Sequence, residues 1–262
     1  MTELNLVILA TGVNTLQVVN LDRIRFHEEY EPHRLDVTCY AIRMEGVLRH
    51  PPIAMQMRDG SYVILDGAHR THALEALGCK RAVLQVVKPE QFALESWSHA
   101  LPNGDWLEPL KQDPQIEWAQ ENGDGLALAE VVDEYGGRCF LYPAGRTVDL
   151  EERLTAWHRI VDSYTKKLPV QRFSQWSGNP GQGKVHFCYP AWSVQELEEI
   201  VLRERVMPAG VTRCIVEGRV LNLRVPLDLL LASTFDEGRW DSLREEWGRS
   251  LRLYTESVFL CE

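Results

Sequence analysis

The sequence predicts a mixed α/β (α+β) fold, and three observations carry this prediction. An apolar, β-branched run at residues 62–65 ends in Asp66-Gly67 and continues with apolar residues at helical spacing, which is typical of a strand, a tight turn and a helix. Asp59-Gly60 separates two apolar runs and predicts a β-hairpin. Residues 149–167 place apolar side chains along one helical stripe. Strands and helices that alternate in this way indicate an α/β protein.

The first ninety residues predict one compact module. Alternation of apolar and polar residues indicates the first strand. Pro32 sets the exit of a charged loop or starts the next helix, and that helix should end before Pro51 and Pro52. The predicted elements, in order, are a strand at 16–24, a loop at 26–34, a helix at 35–47, a hairpin of 53–57 and 62–65, a helix at 69–77 and a strand at 82–87.

A second region, residues 91–262, is predicted to form a C-terminal α/β lobe that completes the active-site cleft. Ser193 and Glu196 have the spacing of a capping box, and Glu217-Gly218 lies between two apolar runs as in a hairpin. The predicted elements are irregular helices within a connecting segment at 89–118, helices at 149–167 and after 193, a hairpin of 210–216 and 219–225, helices at 226–231 and 241–251, and a strand at 257–261.

Composition restricts the function classes. The chain has 262 residues and a formal net charge of -10, which argues against a broad nucleic-acid surface because phosphate backbones require clustered basic residues. The apolar stretch at residues 6–10 is too short to span a membrane and lacks the basic flank of a signal peptide, so we expect a cytoplasmic protein. The six cysteines lack the spacing of a zinc site, and we expect buried, reduced thiols.

The turn Asp66-Gly67-Ala68-His69-Arg70 is the strongest candidate for a binding site. A helix that begins directly after a glycine turn has unpaired backbone N–H groups and positive potential at its first turn, and Arg70 adds a guanidinium. These features favour binding of a nucleotide or another phosphorylated molecule. The alternative is a turn that Asp66 merely stabilises by hydrogen bonds.

A second glycine-rich segment, residues 178–184, has the spacing GxxxxGK of a Walker P-loop. A P-loop follows an apolar strand, continues with Ser or Thr after the lysine, and begins a helix. Here Val185 follows Lys184, and the next residues predict a strand. We therefore interpret the segment as a flexible loop.

The wider pattern resembles the ParB/sulfiredoxin superfamily and, within it, the free L-serine kinases, including those that supply O-phosphoserine to siderophore biosynthesis. Sulfiredoxin requires a cysteine in the turn where this chain has Ala68, so that reaction is not expected. The resemblance rests on residues 27–32, 49–51, 66–70, 78–80, 97, 99, 206–213 and 218–226.

The resemblance implies an ATP- or ADP-dependent kinase that makes O-phospho-L-serine with Mg²⁺. It implies Glu28 as the catalytic base, although Glu29 and Glu31 beside it allow a solvated loop carboxylate instead. Asp66 is the second catalytic candidate, because it could orient the hydroxyl or help to hold magnesium. The nucleotide-binding candidates are Asp66, Gly67, Ala68, His69, Arg70 and Thr71, and the substrate-binding candidates are Glu28, Trp97, Thr212 and Arg213.

Two alternatives stay open at the level of sequence. The first is a nucleotide-binding regulatory or ParB-like protein without kinase activity, which predicts a basic helix-turn-helix after the module. The second is a ligand sensor, which is compatible with kinase activity. The expected partners are L-serine and an adenine nucleotide, with a homodimer as the expected assembly and with neither nucleic acid nor a membrane as a partner.

Overall fold

The computed structural model describes residues 12–30, 32–123, 125–145, 149–165, 167–174 and 178–253. The chain divides into two compact units, and both are discontinuous in sequence. The first unit contains Met1–Arg25, Tyr30–Phe92 and Val216–Glu262, and the second contains Phe26–Glu29 and Ala93–Ile215.

Within the described residues, the first unit contains seven strands and four α-helices. The strands are β1 (Leu16–Asn20), β2 (Ile24–Phe26), β3 (Val47–Leu48), β4 (Ile53–Gln56), β5 (Tyr62–Asp66), β6 (Arg81–Val87) and β15 (Val225–Pro226), and the helices are α1 (Pro32–Glu45), α2 (Ala68–Ala76), α6 (Leu227–Leu231) and α7 (Glu237–Ser250). Five of the strands form a sheet with the order β1-β6-β4-β5-β2. The pair β4 and β6 is parallel, whereas β4 and β5 form an antiparallel hairpin. A separate two-stranded pair joins β15 to β3.

The second unit is built on a six-stranded antiparallel sheet. Its strands are β8 (Ser98–Pro102), β9 (Ile116–Ala119), β10 (Ala129–Val132), β11 (Arg138–Pro143), β12 (Gln171–Phe173) and β13 (Lys184–Cys188), and the helices of the unit are α3 (Leu107–Lys111), α4 (Leu150–Asp162) and α5 (Val194–Leu202). The strand order is β12-β8-β13-β10-β11-β9, and all neighbouring strands are antiparallel. Strand β7 (Phe92–Ser96) pairs separately with β14 (Thr212–Val216). Trp157, Tyr164 and Phe187 are fully buried and form the aromatic core of the unit.

The predicted mixed α/β class is confirmed, and so are the elements with clear end signals. Helix α1 begins at Pro32, the hairpin turns at Asp59-Gly60, and α2 follows the Gly67 turn. Ser193 and Glu196 form the predicted capping box of α5. The segment at 178–184 leads into strand β13 rather than into a helix, which confirms its interpretation as a loop.

Three predicted elements are wrong in detail. The strand at 16–24 is interrupted by a 3-10 turn at Leu21–Arg23. The segment at 89–118 contains strands β7, β8 and β9 in addition to the short helix α3. The hairpin of 210–216 and 219–225 does not form, because β14 pairs with β7, and Asn222 and Arg224 have φ values of 54° and 58° that no strand contains.

The two units differ from the predicted division at residue 90. The chain leaves the first unit after Phe92, close to the predicted boundary, but returns to it at Val216. The physical reason is a set of hydrogen bonds from the last segment to β6 and its flanks: the Arg81 guanidinium donates to the carbonyls of Leu229, Ala232 and Ser233, and Lys80 N–H donates to Leu230.

Some predictions fall on residues that the structure does not describe: the strand at 257–261, the stretch at 6–10 and Glu31 lie outside the described ranges. Of the cysteines within those ranges, none forms a disulfide, but only Cys79 is buried, so the prediction of burial is wrong for Cys39, Cys139, Cys188 and Cys214. None of the described helices has the length and apolar character that crossing a membrane requires.

Candidate functional site

The predicted phosphate-binding turn lies in the first unit, between β5 and α2. Gly67 is the N-cap residue of α2, with φ 95° and ψ 26°, and no side chain caps the first turn of the helix. A helix begun in this way presents its first N–H groups and the positive end of its dipole to a ligand. The local geometry is therefore that of an anion-binding helix terminus.

Arg70 folds back over this turn. A Cβ atom at position 67 would lie 2.8 Å from Arg70 Nη2 and 3.0 Å from the Cβ atom of Pro52. The space above Gly67 is thus occupied by a guanidinium, and only glycine combines the left-handed backbone with this contact. Arg70 Nε is buried and has no hydrogen-bond partner among the described residues.

Asp66 is held between two arginines of the same unit. Arg70 Nη2 lies 3.3 Å from Asp66 Oδ2, and Arg219 Nη2 donates a hydrogen bond to the same oxygen. Burial raises the pKa of Asp66, but the neighbouring Arg70 and Arg219 charges outweigh it and hold the pKa below its usual value. Asp66 is accordingly a carboxylate at neutral pH, with its two guanidinium contacts concentrated on one oxygen.

The other predicted nucleotide-binding residues differ in accessibility. His69 is partly exposed at the start of α2, whereas Ala68 and Thr71 are buried. The Thr71 hydroxyl donates to the Gly67 carbonyl at 3.1 Å. Thr71 therefore supports the turn from the protein side.

The second group of predicted residues lies in the second unit, around Glu28. Met207 N–H donates to the His27 carbonyl at 2.7 Å, and Glu29 N–H donates to the Met207 carbonyl at 3.1 Å. This parallel bridge fixes the backbone on both sides of Glu28. Glu28 is thus held against the 207–212 segment although it lies in a loop.

The Glu28 carboxylate accepts two hydrogen bonds from that segment. Gly210 N–H lies 3.2 Å and the Thr212 hydroxyl 3.4 Å from Glu28 Oε2. Because a carboxylate only accepts, Thr212 donates its proton to Glu28 and accepts from His27 Nε2 at 2.8 Å. Within the described ranges, Glu28 Oε1 makes no hydrogen bond, so this oxygen can act on a ligand.

Trp97, Arg213 and Glu95 form a third cluster, also in the second unit. Arg213 Nη1 donates to Glu95 Oε2 at 2.7 Å, and the Arg213 guanidinium carbon lies 5.0 Å from the centre of the Trp97 ring. Trp97 N–H donates to the Val211 carbonyl at 2.8 Å. Backbone hydrogen bonds therefore join the segments that contain Glu28, Trp97 and Thr212-Arg213. The Arg213 guanidinium is already paired with the Glu95 carboxylate.

Two basic residues near these clusters were not identified from the sequence. Arg219 pairs with Asp66 across 153 positions, and the Arg172 guanidinium occupies the place that a Cβ on Gly210 would take. Arg172 lies opposite His99 in the register of β12 and β8. No local pattern signals either residue, because both contacts depend on distant parts of the chain.

A metal centre is not preformed in the part of the chain that the structure describes, since no three His, Cys, Asp or Glu side chains cluster there. Mg²⁺ in phosphoryl-transfer sites is bound through one or two carboxylates together with substrate phosphates. Asp66, whose Oδ1 carries neither arginine contact, fits that donor set.

The chain is 34% identical over 251 residues to the ATP-dependent L-serine kinase SbnI of Staphylococcus aureus, a match that covers 94% of this chain and 97% of that protein. It is 23% identical over 217 residues to the ADP-dependent L-serine kinase SerK of Thermococcus kodakarensis, covering 76% of this chain and 86% of SerK. No family model matches the chain.

Solved structures are similar as well. SbnI with a C-terminal truncation, from Staphylococcus aureus, superimposes with a TM-score of 0.80 at 30% identity, covering 90% of this chain and 97% of that chain. A free serine kinase in complex with AMP has a TM-score of 0.67 at 20% identity, covering 82% and 93%, and shows the same fold.

Proposed function

The chain belongs to the family of L-serine kinases, and we propose that it transfers the γ-phosphoryl group of ATP to the hydroxyl of free L-serine, giving O-phospho-L-serine and ADP. ATP is the proposed donor because SbnI, which is similar over nearly the whole chain, is ATP-dependent. The observation that carries the proposal is the Glu28 carboxylate, oriented through one oxygen and open at the other.

In this proposal Glu28 is the general base. As the serine oxygen attacks the γ-phosphorus, its proton passes to Glu28, and the bond between the γ-phosphorus and the ADP oxygen breaks. Gly210 and Thr212 hold Glu28 Oε2, which supports Oε1 as the oxygen that accepts the proton. Thr212 then acts through Glu28 rather than on serine itself.

The turn of the first unit is the proposed nucleotide site. The N–H groups at the start of α2, Arg70 and Arg219 supply donors and positive charge for phosphate oxygens. The buried Arg70 Nε supports this assignment, because a phosphate oxygen would give it an acceptor. His69 is a further proposed phosphate contact.

Asp66 is the proposed carboxylate for nucleotide-bound Mg²⁺, through Oδ1. When bound, Mg²⁺ neutralises charge that develops on the phosphates. Asp66 also holds Arg70 and Arg219, so its side chain organises the basic groups around the same phosphates.

Trp97 and Arg213 are the proposed contacts for the amino acid. Glu95 and the Trp97 ring orient the Arg213 guanidinium, which leaves other donors of its fork for the serine carboxylate.

The direct test is to incubate the purified protein with L-serine, Mg²⁺ and either ATP or ADP, and to measure phosphoserine by ³¹P NMR or mass spectrometry. We expect product with ATP. Product with ADP alone would correct the donor, and no product with either nucleotide would refute the kinase.

Substitution of Glu28 tests its proposed role as the general base. Glu28→Gln should lower kcat at least about 1,000-fold, because the amide cannot take the hydroxyl proton. Nucleotide affinity, measured by calorimetry, should change less than about threefold because Glu28 is not among the proposed nucleotide contacts. The neighbouring Glu29→Gln is the matched control and should retain activity; turnover by Glu28→Gln close to wild type would exclude Glu28 as the base.

The regulatory alternative receives less support. It predicts a basic helix-turn-helix after the first module, and the described residues from Ala93 to Ile215 form a six-stranded sheet with three helices. The similarity to two L-serine kinases also favours phosphoryl transfer.

A further inference from the structure

Three buried polar side chains in the second unit form a chain of hydrogen bonds that has no role in the mechanism above. His99, Tyr164 and Tyr189 are almost fully buried. His99 Nδ1 lies 2.7 Å from the Tyr164 hydroxyl oxygen, which lies 2.5 Å from that of Tyr189. Apolar residues of similar volume would fill this space without the need to satisfy buried polar atoms, so the chain of hydrogen bonds invites a functional explanation.

The contact between His99 and the Gly210 carbonyl sets the donor and acceptor in each of these hydrogen bonds. His99 Nε2 lies 2.8 Å from the Gly210 carbonyl oxygen, which can only accept, so Nε2 carries the proton. Burial lowers the pKa of His99 to about 4, so the ring is neutral at neutral pH and Nδ1 is an acceptor. Tyr164 therefore donates to His99, and Tyr189 donates to Tyr164.

Gly210 joins this chain to the proposed base. The carbonyl of Gly210 accepts from His99, and the N–H of Gly210 donates to Glu28 Oε2. Gly210 has φ 73°, and glycine has the widest backbone freedom of all residues. The N–H and the carbonyl of Gly210 lie in consecutive peptide planes that share its Cα atom, so a hydrogen bond that holds the carbonyl restricts the positions that the N–H can take.

We propose that His99, Tyr164 and Tyr189 are positioning residues, which fix the Gly210 backbone and through it the orientation of the Glu28 carboxylate. This inference rests on the proposed function for its kinetic consequence and on the hydrogen bonds themselves for its structural one. Loss of this chain of hydrogen bonds should reduce kcat and leave KM for serine nearly unchanged, because the orientation of Glu28 matters more for proton transfer than for binding.

Four variants separate positioning from general stability. Leu in place of His99 (His99→Leu) removes the donor to Gly210, whereas His99→Gln can restore it from its amide. Tyr164→Phe removes the donor to Nδ1. Tyr142→Phe is the matched control, because Tyr142 is also buried in the second unit and its hydroxyl donates to Asn122 at 2.8 Å, outside this chain.

We expect kcat per folded molecule to fall about tenfold or more in His99→Leu, less in Tyr164→Phe, and by under about threefold in His99→Gln and Tyr142→Phe. In protein labelled with ¹⁵N-glycine, the Gly210 amide resonance should shift in His99→Leu and Tyr164→Phe and stay in place in Tyr142→Phe. Equal kcat in His99→Leu and His99→Gln, or an unchanged Gly210 resonance in Tyr164→Phe, would overturn the inference. If wild type makes no phosphoserine, the proposed function fails, while the amide resonance still tests the positioning chain.

Discussion

Gly67 is constrained both by its backbone conformation and by its contact with Arg70. Its φ of 95° is unfavourable for any residue with a side chain, and a Cβ there would press on the guanidinium of Arg70. A substitution therefore affects both the backbone turn and the position of a proposed phosphate ligand. Gly78, at the other end of α2, has φ 81° but nothing within 4 Å of its virtual Cβ.

This pair allows backbone strain to be separated from ligand binding. Gly67→Ala and Gly78→Ala should each destabilise the fold by roughly 1–2 kcal/mol, because both place alanine in the left-handed region. Only Gly67→Ala should weaken nucleotide binding, by about tenfold or more, since only there does the new methyl displace Arg70. Calorimetric titration with ATP and urea unfolding measure the two effects, and equal nucleotide affinity in both variants would contradict the assignment.

His99 gives the fold a defined pH dependence. Its pKa falls from 6.5 to about 4 on folding, because burial disfavours the charged ring. The native state thus binds fewer protons than the unfolded state between these values, so stability is fully present above about pH 6.5 and decreases towards pH 4, in total by about 3 kcal/mol.

The prediction is tested by urea unfolding at pH 7.5 and pH 4.5. Wild type should lose more stability on acidification than His99→Gln, whose amide does not titrate. Carboxylates contribute to both proteins, so the difference between the two reports His99. The same loss in both would show that the ring is not neutralised on folding.

Residues of the candidate site could be predicted from sequence where they lie together in one short segment. The turn at Asp66 to Arg70 follows from local rules, because strand, glycine and helix are adjacent in sequence. Arg219 and Arg172 were not predictable, since their contacts with Asp66 and Gly210 are set by distant backbone. The assignment of Glu28 depended on the family resemblance, as three acidic residues occur within residues 28–31.

At the level of elements, the segment after Glu217-Gly218 shows why a hairpin motif is not sufficient. Val220 N–H donates to the Gln85 side chain at 2.9 Å, and Asn222 N–H donates to His50 Nδ1 at 3.0 Å. These bonds within the first unit replace the ladder that a hairpin with β14 would form. The left-handed conformation of Asn222 is compatible with this path, because asparagine tolerates φ above zero better than most residues.

Substitution of Asn222 tests this interpretation. Asn222→Gly should leave stability within about 0.5 kcal/mol, whereas Asn222→Val should lower it by roughly 1–2 kcal/mol, because a β-branched residue is strained at φ 54°. Leu221→Val places the same side chain at the preceding, exposed position and is the control. Denaturant unfolding measures all three, and equal stability of Asn222→Val and Leu221→Val would contradict the left-handed conformation.

Helices with strong end signals were predicted from sequence, whereas the strands of residues 92–119 were not. Helices α1, α2, α4 and α5 each have a proline, glycine or capping residue at the start. Strands β7, β8 and β9 lie in a segment rich in tryptophan and proline whose periodicity is mixed. Their formation depends on sheet partners elsewhere in the chain, such as β13 and β12 for β8.

At the level of the whole molecule, the first unit includes hydrogen bonds to the segment that follows Val216. Gln85 Nε2 donates to the Gly218 carbonyl, and the buried Arg81 guanidinium is satisfied by three carbonyls of the segment 229–233. Without that segment, Arg81 would be a buried charge with unsatisfied donors.

A fragment of residues 1–92 should therefore lack a cooperative thermal transition, whereas the same fragment joined to residues 216–262 through a flexible glycine-serine linker should show one. Circular dichroism during heating measures the difference. The control is the joined fragment with Arg81→Met, which should melt at a lower temperature because three carbonyls lose their donor. Cooperative unfolding of residues 1–92 alone would show that the unit is complete without its last segment.

The return of the chain at Val216 also has a consequence for synthesis on the ribosome. Residues are synthesised from the N-terminus, yet the first unit lacks its final segment until synthesis has passed the whole of the second. The second unit has all its residues once Ile215 has emerged, so it can fold while the first still waits for its last partners. The first unit therefore receives its last residues only after every residue of the second has been synthesised.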